Sequence, residues 1–446
     1  MKTVTSYSVR LSKSKFSYLS DTLALYRDAV DWLIRIIDSE WSLYADCIGN
    51  QMAVNVSEHL CVRTKSNPAP RYDFSVPFYK FPCYLRRAAM AEAYGLVSSY
   101  RSNLANWLSR SEDRRGRRPS VPKAGFVCPA MYRDNCFVRT GTYTARIKVW
   151  MRNTWDWLDV SLRKCDVDYI LRRCASRKEC VPTLRRRGRN WSLDFSFEES
   201  VKLSERKSPY DTRIVSVDLG INSACTCSVM GSDGTVEGRR FLRLPSEYDR
   251  LNHAIGRIKH AQQSGARRMP MLWSRAKGIN NDISVKSAQF IIDTAMMYDA
   301  DVIVMEALDL QGRKRGSKRQ RLALWRAKYV QAMVTQKAHR AGIRVSYVCA
   351  WNTSRLAFDG SGRVLRGRES SRTEGNYSLC EFTTGKVYNC DLNATYNIGA
   401  RYFIREILRC ESERTRLEVT AKVPSLARRS TCTLSDLKGL RAAMSA

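Results

Sequence analysis

The apolar positions of this chain change period several times, and each change marks a new element. Residues 3–10 (TVTSYSVR) alternate apolar and polar side chains as a strand does. From Lys15 to about Cys47, Leu23, Leu25, Tyr26, Val30, Leu33, Ile34 and Ile37 recur at helical spacing. After a polar stretch with two prolines around 67–72, residues 81–110 predict a strong helix or helix pair, arginines on one side and Leu, Ala and Tyr on the other. EDRRGRRP (112–119) has the composition of a linker, and short β-like runs follow it: FVRTGTYTARIKVW, CDVDYILRR and CVPTLRRRGRNWSLDFSF. These predict a small barrel over roughly 120–207, joined by the first strand, with the helices of 15–110 inserted behind that strand.

From 211 the pattern changes again. RIVSVDLGINSACTCSVM reads as strand, tight turn and strand, and SEYDRLNHAIGRIKHAQQSG as a basic helix. A helix at 284–300, a fully apolar strand DVIVMEAL (301–308), a helix at 321–342 and a strand at 343–351 follow. This alternation predicts a largely parallel α/β core. Residues 352–390 are rich in Gly, Ser and Thr without a clear period, CDLNATYNIGARYFIREIL (390–408) begins a helix, and 411–446 reads as a weakly patterned basic tail.

Charge narrows the partners. Of 446 residues, 76 are Lys or Arg and 43 Asp or Glu, a net +33 that exceeds what solubility needs and repels itself in a compact body, so a polyanion is expected. No apolar stretch approaches the length of a membrane span, and the N-terminus lacks the apolar core of a secretory signal, so no membrane partner is expected and a cytosolic location is. The 15 cysteines form no C-x-x-C pair and read as reduced, mostly buried thiols.

Three acids carry the candidate chemistry. Asp218 ends the apolar run IVSV and precedes Gly220, which permits a sharp turn where a buried strand meets solvent. Glu306 ends DVIVM in the same way, at the carboxyl end of a strand, where open α/β sheets place their sites. Asp391 stands at the start of a helix. Singly, each acid reads as well as a helix cap, a turn former or a member of an ion pair. Together, carboxylates with few competing nitrogen ligands suit magnesium, with manganese able to substitute, and not zinc. Two such ions can activate a water and stabilise the leaving oxygen of a phosphodiester.

VDLGIN (217–222), VIVMEAL (302–308) and DLNATYNIGAR (391–401), in this order, resemble the RuvC motifs of the TnpB transposon-encoded nucleases and the compact type V CRISPR effectors. The resemblance implies a multidomain chain: a wedge-type β-barrel (1–14 and 115–210) with an inserted α-helical recognition lobe (15–114), then an α/β RNase H-like RuvC domain (211–350 and 391–410). It implies that Asp218, Glu306 and Asp391 are catalytic and hold the two magnesium ions. It also implies an RNA-guided endonuclease that carries a guide RNA, of transposon or CRISPR origin, to target double-stranded DNA beside a short flanking motif. The family's zinc ribbon has decayed in the 351–390 insertion: only Cys349, Cys380 and Cys390 remain, at the wrong spacing, and no zinc is expected. A nuclease-inactive guided binding protein and an unguided RNase H-like resolvase or integrase are the alternatives.

Three basic runs are candidate nucleic-acid contacts: Arg114, Arg115, Arg117 and Arg118; Arg185, Arg186, Arg187 and Arg189 with Trp191 beside them for stacking on bases; and Arg313, Lys314 and Arg315, a mobile lid between Gly312 and Gly316. Each reads equally as a solvated loop.

Overall fold

The computed structural model describes residues 1–12, 16–220, 224–308, 326–373 and 375–445. The chain divides into two compact units, Lys2–Glu199 and Ser200–Ala446 together with Met1.

In the first unit, strand β1 (Lys2–Ser12) leads into α1 (Phe16–Ser39), α2 (Asn50–Cys61) and α3 (Cys83–Leu108). A meander β2 (Phe137–Gly141), β3 (Thr144–Met151) and β4 (Thr154–Leu162) follows, then helix α4 (Lys164–Cys174), then β5 (Lys178–Glu179), β6 (Thr183–Arg187) and β7 (Asn190–Ser200). The strands form one sheet in the order β2-β3-β4-β1-β7-β5, with β6 also on β7. Its two ends approach each other: Ala130, before β2, bridges Thr183 of β6, and Arg139 of β2 pairs with Glu179 of β5 at 3.3 Å.

The helices between β1 and β2 share a single core with this sheet. Leu19, Leu23, Tyr26, Val30, Leu33 and Ile37 line the buried stripe of α1. The helix is also tied to the sheet by a bond in which the Trp150 N–H donates to Thr22 Oγ1 at 2.8 Å. The run CDVDYILRR, expected as a strand, is helical: Val167, Ile170 and Cys174 recur at three- and four-residue spacing on the buried face of α4.

The second unit is built on a five-stranded sheet of β8 (Ile214–Asp218), β9 (Cys225–Met230), β10 (Val236–Leu242), β11 (Val302–Ala307) and β12 (Arg344–Cys349). The order is β10-β9-β8-β11-β12. β8, β11 and β12 run parallel, whereas β9 is antiparallel to both neighbours, so the core is mixed rather than largely parallel. The shortness of the chain between Asp218 and Cys225 accounts for this, since parallel strands need a crossover connection of a dozen or more residues.

Helices α5 (Pro245–Gln263), α6 (Pro270–Met297) and α7 (Ala327–Arg340) follow β10 and β11, each of the first two opening with proline at a position where its missing N–H costs nothing. Odd-numbered Val215, Val217, Ile303 and Met305 pack with α6 and α7 on one side of the sheet. Even-numbered Ile214, Val302 and Val304 pack on the other side with α8 (Cys390–Cys410). Residues 411–445, expected as a tail, fold as α9 (Glu413–Lys422) and α10 (Leu434–Ser445) and bury Val419, Leu434, Leu437 and Leu440 in the same core.

The insertion after β12 forms a small sheet of β13 (Leu365–Arg366), β14 (Leu379–Glu381) and β15 (Val387–Asn389). Its core is aromatic: Phe358 lies edge-on to Phe382, Tyr388 and Tyr396 at 5.4, 5.1 and 5.2 Å.

Helix α8 sits close to the sheet because residue 399 is glycine. A Cβ there would lie 2.6 Å from Met230 Sδ and 3.4 Å from Ile214 Cδ1. Gly399→Ala is expected to lower stability by about 1–3 kcal/mol, the range for overpacking a filled core. A denaturant midpoint equal to that of the wild type would show that α8 can move away freely.

Candidate catalytic site

Strand parity and register bring two of the three acids together. Met305 of β11 stands opposite Val217 of β8, so Glu306 and Asp218 are the next positions on adjacent parallel strands, both at the carboxyl ends. Both share the even-numbered parity of the residues that face α8. Asp391 arrives on that side as the second residue of α8. It is not the helix cap: Asn389 caps α8, its side-chain oxygen accepting from the N–H groups of Asp391 and Leu392 at 3.0 and 2.9 Å. The motif residues Ile221 and Asn222 lie outside the described residues.

The charges of the other two acids are felt at Asp218. Burial, then the negative charges of Glu306 and Asp391, push the Asp218 carboxyl well above the ordinary carboxylate range, although its side chain keeps an opening to solvent. Burial also raises Glu306, opposed by a hydrogen bond from the Thr353 hydroxyl and by the charge of Arg401. Among the described residues, no three His, Cys, Asp or Glu side chains are gathered closely enough to enclose a metal ion. The acids are therefore neighbours in charge rather than a ready-made cage. The donor set nevertheless fits a hard cation chemically, because it offers carboxylate oxygens whose mutual repulsion a cation would relieve.

A polar framework behind Glu306 is the part that sequence reading missed. Asn393, Asn397 and Arg401 recur every four residues along α8 and are all buried. Asn393 Nδ2 donates to the Leu356 carbonyl at 2.8 Å, and Asn397 Nδ2 to the carbonyls of Thr353 and Leu356 at 2.9 and 2.8 Å. Arg401 donates to the carbonyls of Cys349 and Trp351 at 2.8 Å each, and to that of Cys432 at 3.0 Å. The three side chains thus hold the irregular segment 349–356 that presents Thr353 to Glu306. From the opposite side of the strand, Gln331 of α7 donates to the Glu306 carbonyl at 2.6 Å. Arg366, on β13, contributes a positive charge that lowers Asp218. The fourfold spacing within DLNATYNIGAR was the available signal for this framework.

The remaining candidates are distributed as follows. Arg115 closes the end of α3, donating to the carbonyls of Arg110 and Leu108 at 2.9 and 2.8 Å and lying over Trp107. Arg117 and Arg118 are exposed, and the side chain of Arg114 lies outside the described residues. Arg185, Arg186, Arg187 and Arg189 are all exposed, and Arg185 and Arg187 pair with Asp194 at 3.2 and 2.8 Å. Trp191 is 2% exposed and so has no free face for stacking on a base; its position on β7 turns it into the core, with Arg186 over its ring at 5.9 Å. Arg313, Lys314 and Arg315, with Gly312 and Gly316, lie outside the described residues. Of the ribbon cysteines, Cys380 and Cys390 are buried, the Cys380 thiol donating to the Tyr388 carbonyl at 3.5 Å, whereas Cys349 is exposed at the end of β12.

A model of the Aq_aa04 family matches residues 3–151. Over 104 residues the chain is 36% identical to the uncharacterized protein aq_aa04 of Aquifex aeolicus (strain VF5), a match covering 22% of this chain and 58% of that protein. The chain thus spans little more than half the length of this curated relative. Among solved structures, it is similar to Cas12f1 in a complex with sgRNA and target DNA, at a TM-score of 0.52 and 12% identity, covering 85% of this chain and 82% of that one. It is also similar to AacC2c1 in a binary complex with sgRNA (TM-score 0.40, 10% identity, 87% and 70% covered). A further similarity is to CasPhi-2 bound to crRNA (TM-score 0.38, 9% identity, 89% and 97% covered). At such identities the likeness lies in the fold: this is a multidomain mixed α/β chain with the fold of Cas12f1. Among the described residues, no helix is long and apolar enough to cross a membrane.

The raised Asp218 pKa predicts a measurable destabilisation. A folded state that holds this proton more tightly than the unfolded chain loses stability as pH climbs from the ordinary carboxylate range through the raised pKa. With chelator present, Asp218→Asn is expected to melt at a higher temperature than the wild type at pH 7.5 and to lose that advantage near pH 4. Equal melting temperatures at pH 7.5 would show that the acids do not repel.

Proposed function

We propose that this protein is an RNA-guided DNA endonuclease of the type V effector kind, related to the TnpB nucleases, which hydrolyses phosphodiester bonds at one RuvC-type site. The observation that carries this reading is the pairing of Asp218 and Glu306 on adjacent strand ends, with Asp391 close enough to raise the Asp218 pKa. Its support elsewhere is the net charge of +33 and the fold likeness to Cas12f1, whose structure is a complex with sgRNA and target DNA.

In this reading, Asp218, Glu306 and Asp391 hold two magnesium ions, which supply an activated water and a counter-charge for the leaving oxygen. The chain's own residues prepare the site. Thr353 fixes the orientation of Glu306 and favours its ionised form, and Arg366 does the latter for Asp218. The first unit takes the roles of wedge-type barrel and recognition lobe and holds the guide RNA. The sheet β13-β14-β15 stands where the family carries its zinc ribbon. Base pairing by the guide reads the target's sequence, and the protein reads the flanking motif and the shape of the heteroduplex. The reaction takes place in the prokaryotic cytosol, on DNA.

The test is to express the chain with its native flanking locus, purify it at moderate salt and sequence the RNA that stays bound. A discrete RNA with a constant scaffold and a variable end is expected, and DNA matching that end should be cut by the wild type. Asp218→Ala and Glu306→Ala are each expected to lose at least about 100-fold in cleavage while retaining target binding. Undiminished cutting by either variant overturns the site assignment. Random RNA fragments, or none, would overturn guidance and point to an unguided nuclease.

A further inference from the structure

A cavity of about 610 Å³ opens in the Lys2–Glu199 unit between α4 and strands β1, β2 and β7, well within the size range of small-ligand sites. Its walls are apolar: Val167, Ile170 and Leu171 of α4, Val9 of β1 and Phe197 of β7. Its rim carries two arginines, Arg139 and Arg177, and one acid, Glu179. Arg139 lies over the Phe195 ring at 4.9 Å and donates to both oxygens of Glu179 at 3.4 and 3.3 Å. Arg177, also on the rim, pairs with Glu199 at 3.0 Å. Both guanidinium groups are therefore held in place without a ligand.

Aromatic rings connect the cavity wall to the surface. Phe197 lies 6.1 Å from Tyr7, and Tyr7 lies 5.6 Å from Tyr169, whose exposed ring sits beneath Arg173 at 5.7 Å. The surrounding segment from Arg163 to Lys178 carries six cations against two acids. Asp166 accepts from the Arg10 N–H at 3.1 Å and Asp168 from the Tyr143 hydroxyl at 2.8 Å, and the cations of the segment still outnumber them. An apolar hollow with a positively charged approach fits an amphipathic anion. The cations extend past the mouth along the helix, which suits a chain of phosphates better than one carboxylate.

We propose that this cavity takes one unstacked nucleobase of a single-stranded RNA, with the neighbouring phosphates running along Arg139, Arg177 and Arg173. Single-stranded RNA is read in this way, by bases splayed from the strand onto aromatic rings and guanidinium planes. The proposal rests on the reading that the protein binds RNA, and it assigns the first unit a site that the basic hairpin of β6 and β7 cannot provide, since Trp191 there is buried.

The test is to irradiate the full-length protein with a short single-stranded RNA containing 4-thiouridine and to map the crosslinked peptides by mass spectrometry. Crosslinks are expected in the peptides that carry Val167–Cys174 or Phe197. Leu171 is 53% exposed at the mouth, so Leu171→Glu places a negative charge there without disturbing the core. It is expected to cut the yield of those crosslinks about fivefold or more, the lower end of what losing one stacked base costs. Arg173→Ala, a second surface change, is expected to reduce them in the same direction. RNA retained with crosslinks confined to other peptides, or undiminished in Leu171→Glu, overturns the cavity assignment alone. So does uptake of a fatty acid with no crosslink in the cavity. Failure to retain any RNA overturns the guided-nuclease reading as well.

Discussion

Burial and the negative charges of Glu306 and Asp391 act together on Asp218, at the end of a strand around which the rest of the Ser200–Ala446 unit packs. The strands that deliver Asp218 and Glu306 are packed on both faces by aliphatic side chains, so their ends cannot spread. Thr353, Arg401 and Arg366 each offset part of the negative charge without removing it. What results is a buried carboxyl whose ionised form is costly to the fold. A site poised for charge is commonly strained in this way, and its support must come from elsewhere in the chain.

The acids were legible because each ended a conspicuous apolar run or opened a helix, and strand parity did the rest. The framework behind them was not, because Asn393, Asn397 and Arg401 act through backbone carbonyls of segment 349–356, which has no periodicity of its own to reveal where it lies. Helix α4 was misread because its buried positions are few and β-branched residues among them resemble a strand. Residues 411–445 looked featureless because their apolar side chains are sparse. A helix covered on one side needs only a narrow stripe, and Leu434, Leu437 and Leu440 supply it.

Several arginines of the basic runs also have structural partners within the chain. In the run at 185–189, Arg185 and Arg187 are bound to Asp194, and the tryptophan that made the run attractive faces inward. The run at 114–118 likewise uses Arg115 to satisfy the carbonyls at the end of α3, as a helix C-terminus favours. Guanidinium groups therefore serve two purposes here, tying off backbone ends internally and supplying positive surface. A sequence cannot separate the two uses, since both are written with the same residue. In the α4 region the segment from Arg163 to Lys178 carries six cations against two acids, so its cations are in excess.

The fourfold repeat of polar residues on α8 has an implication for how this chain can change over time. Asn393, Asn397 and Arg401 hold their carbonyls at successive turns of one helix, and Gly399 lies within the same span against the sheet. Substitutions on the exposed side of the helix alter one residue each, but a single inserted or deleted residue would rotate every later contact by about 100° and break several at once. Drift in this helix can therefore proceed by replacement but hardly by changes of length, and its length should persist among descendants long after the sequence between the fixed positions has become unrecognisable.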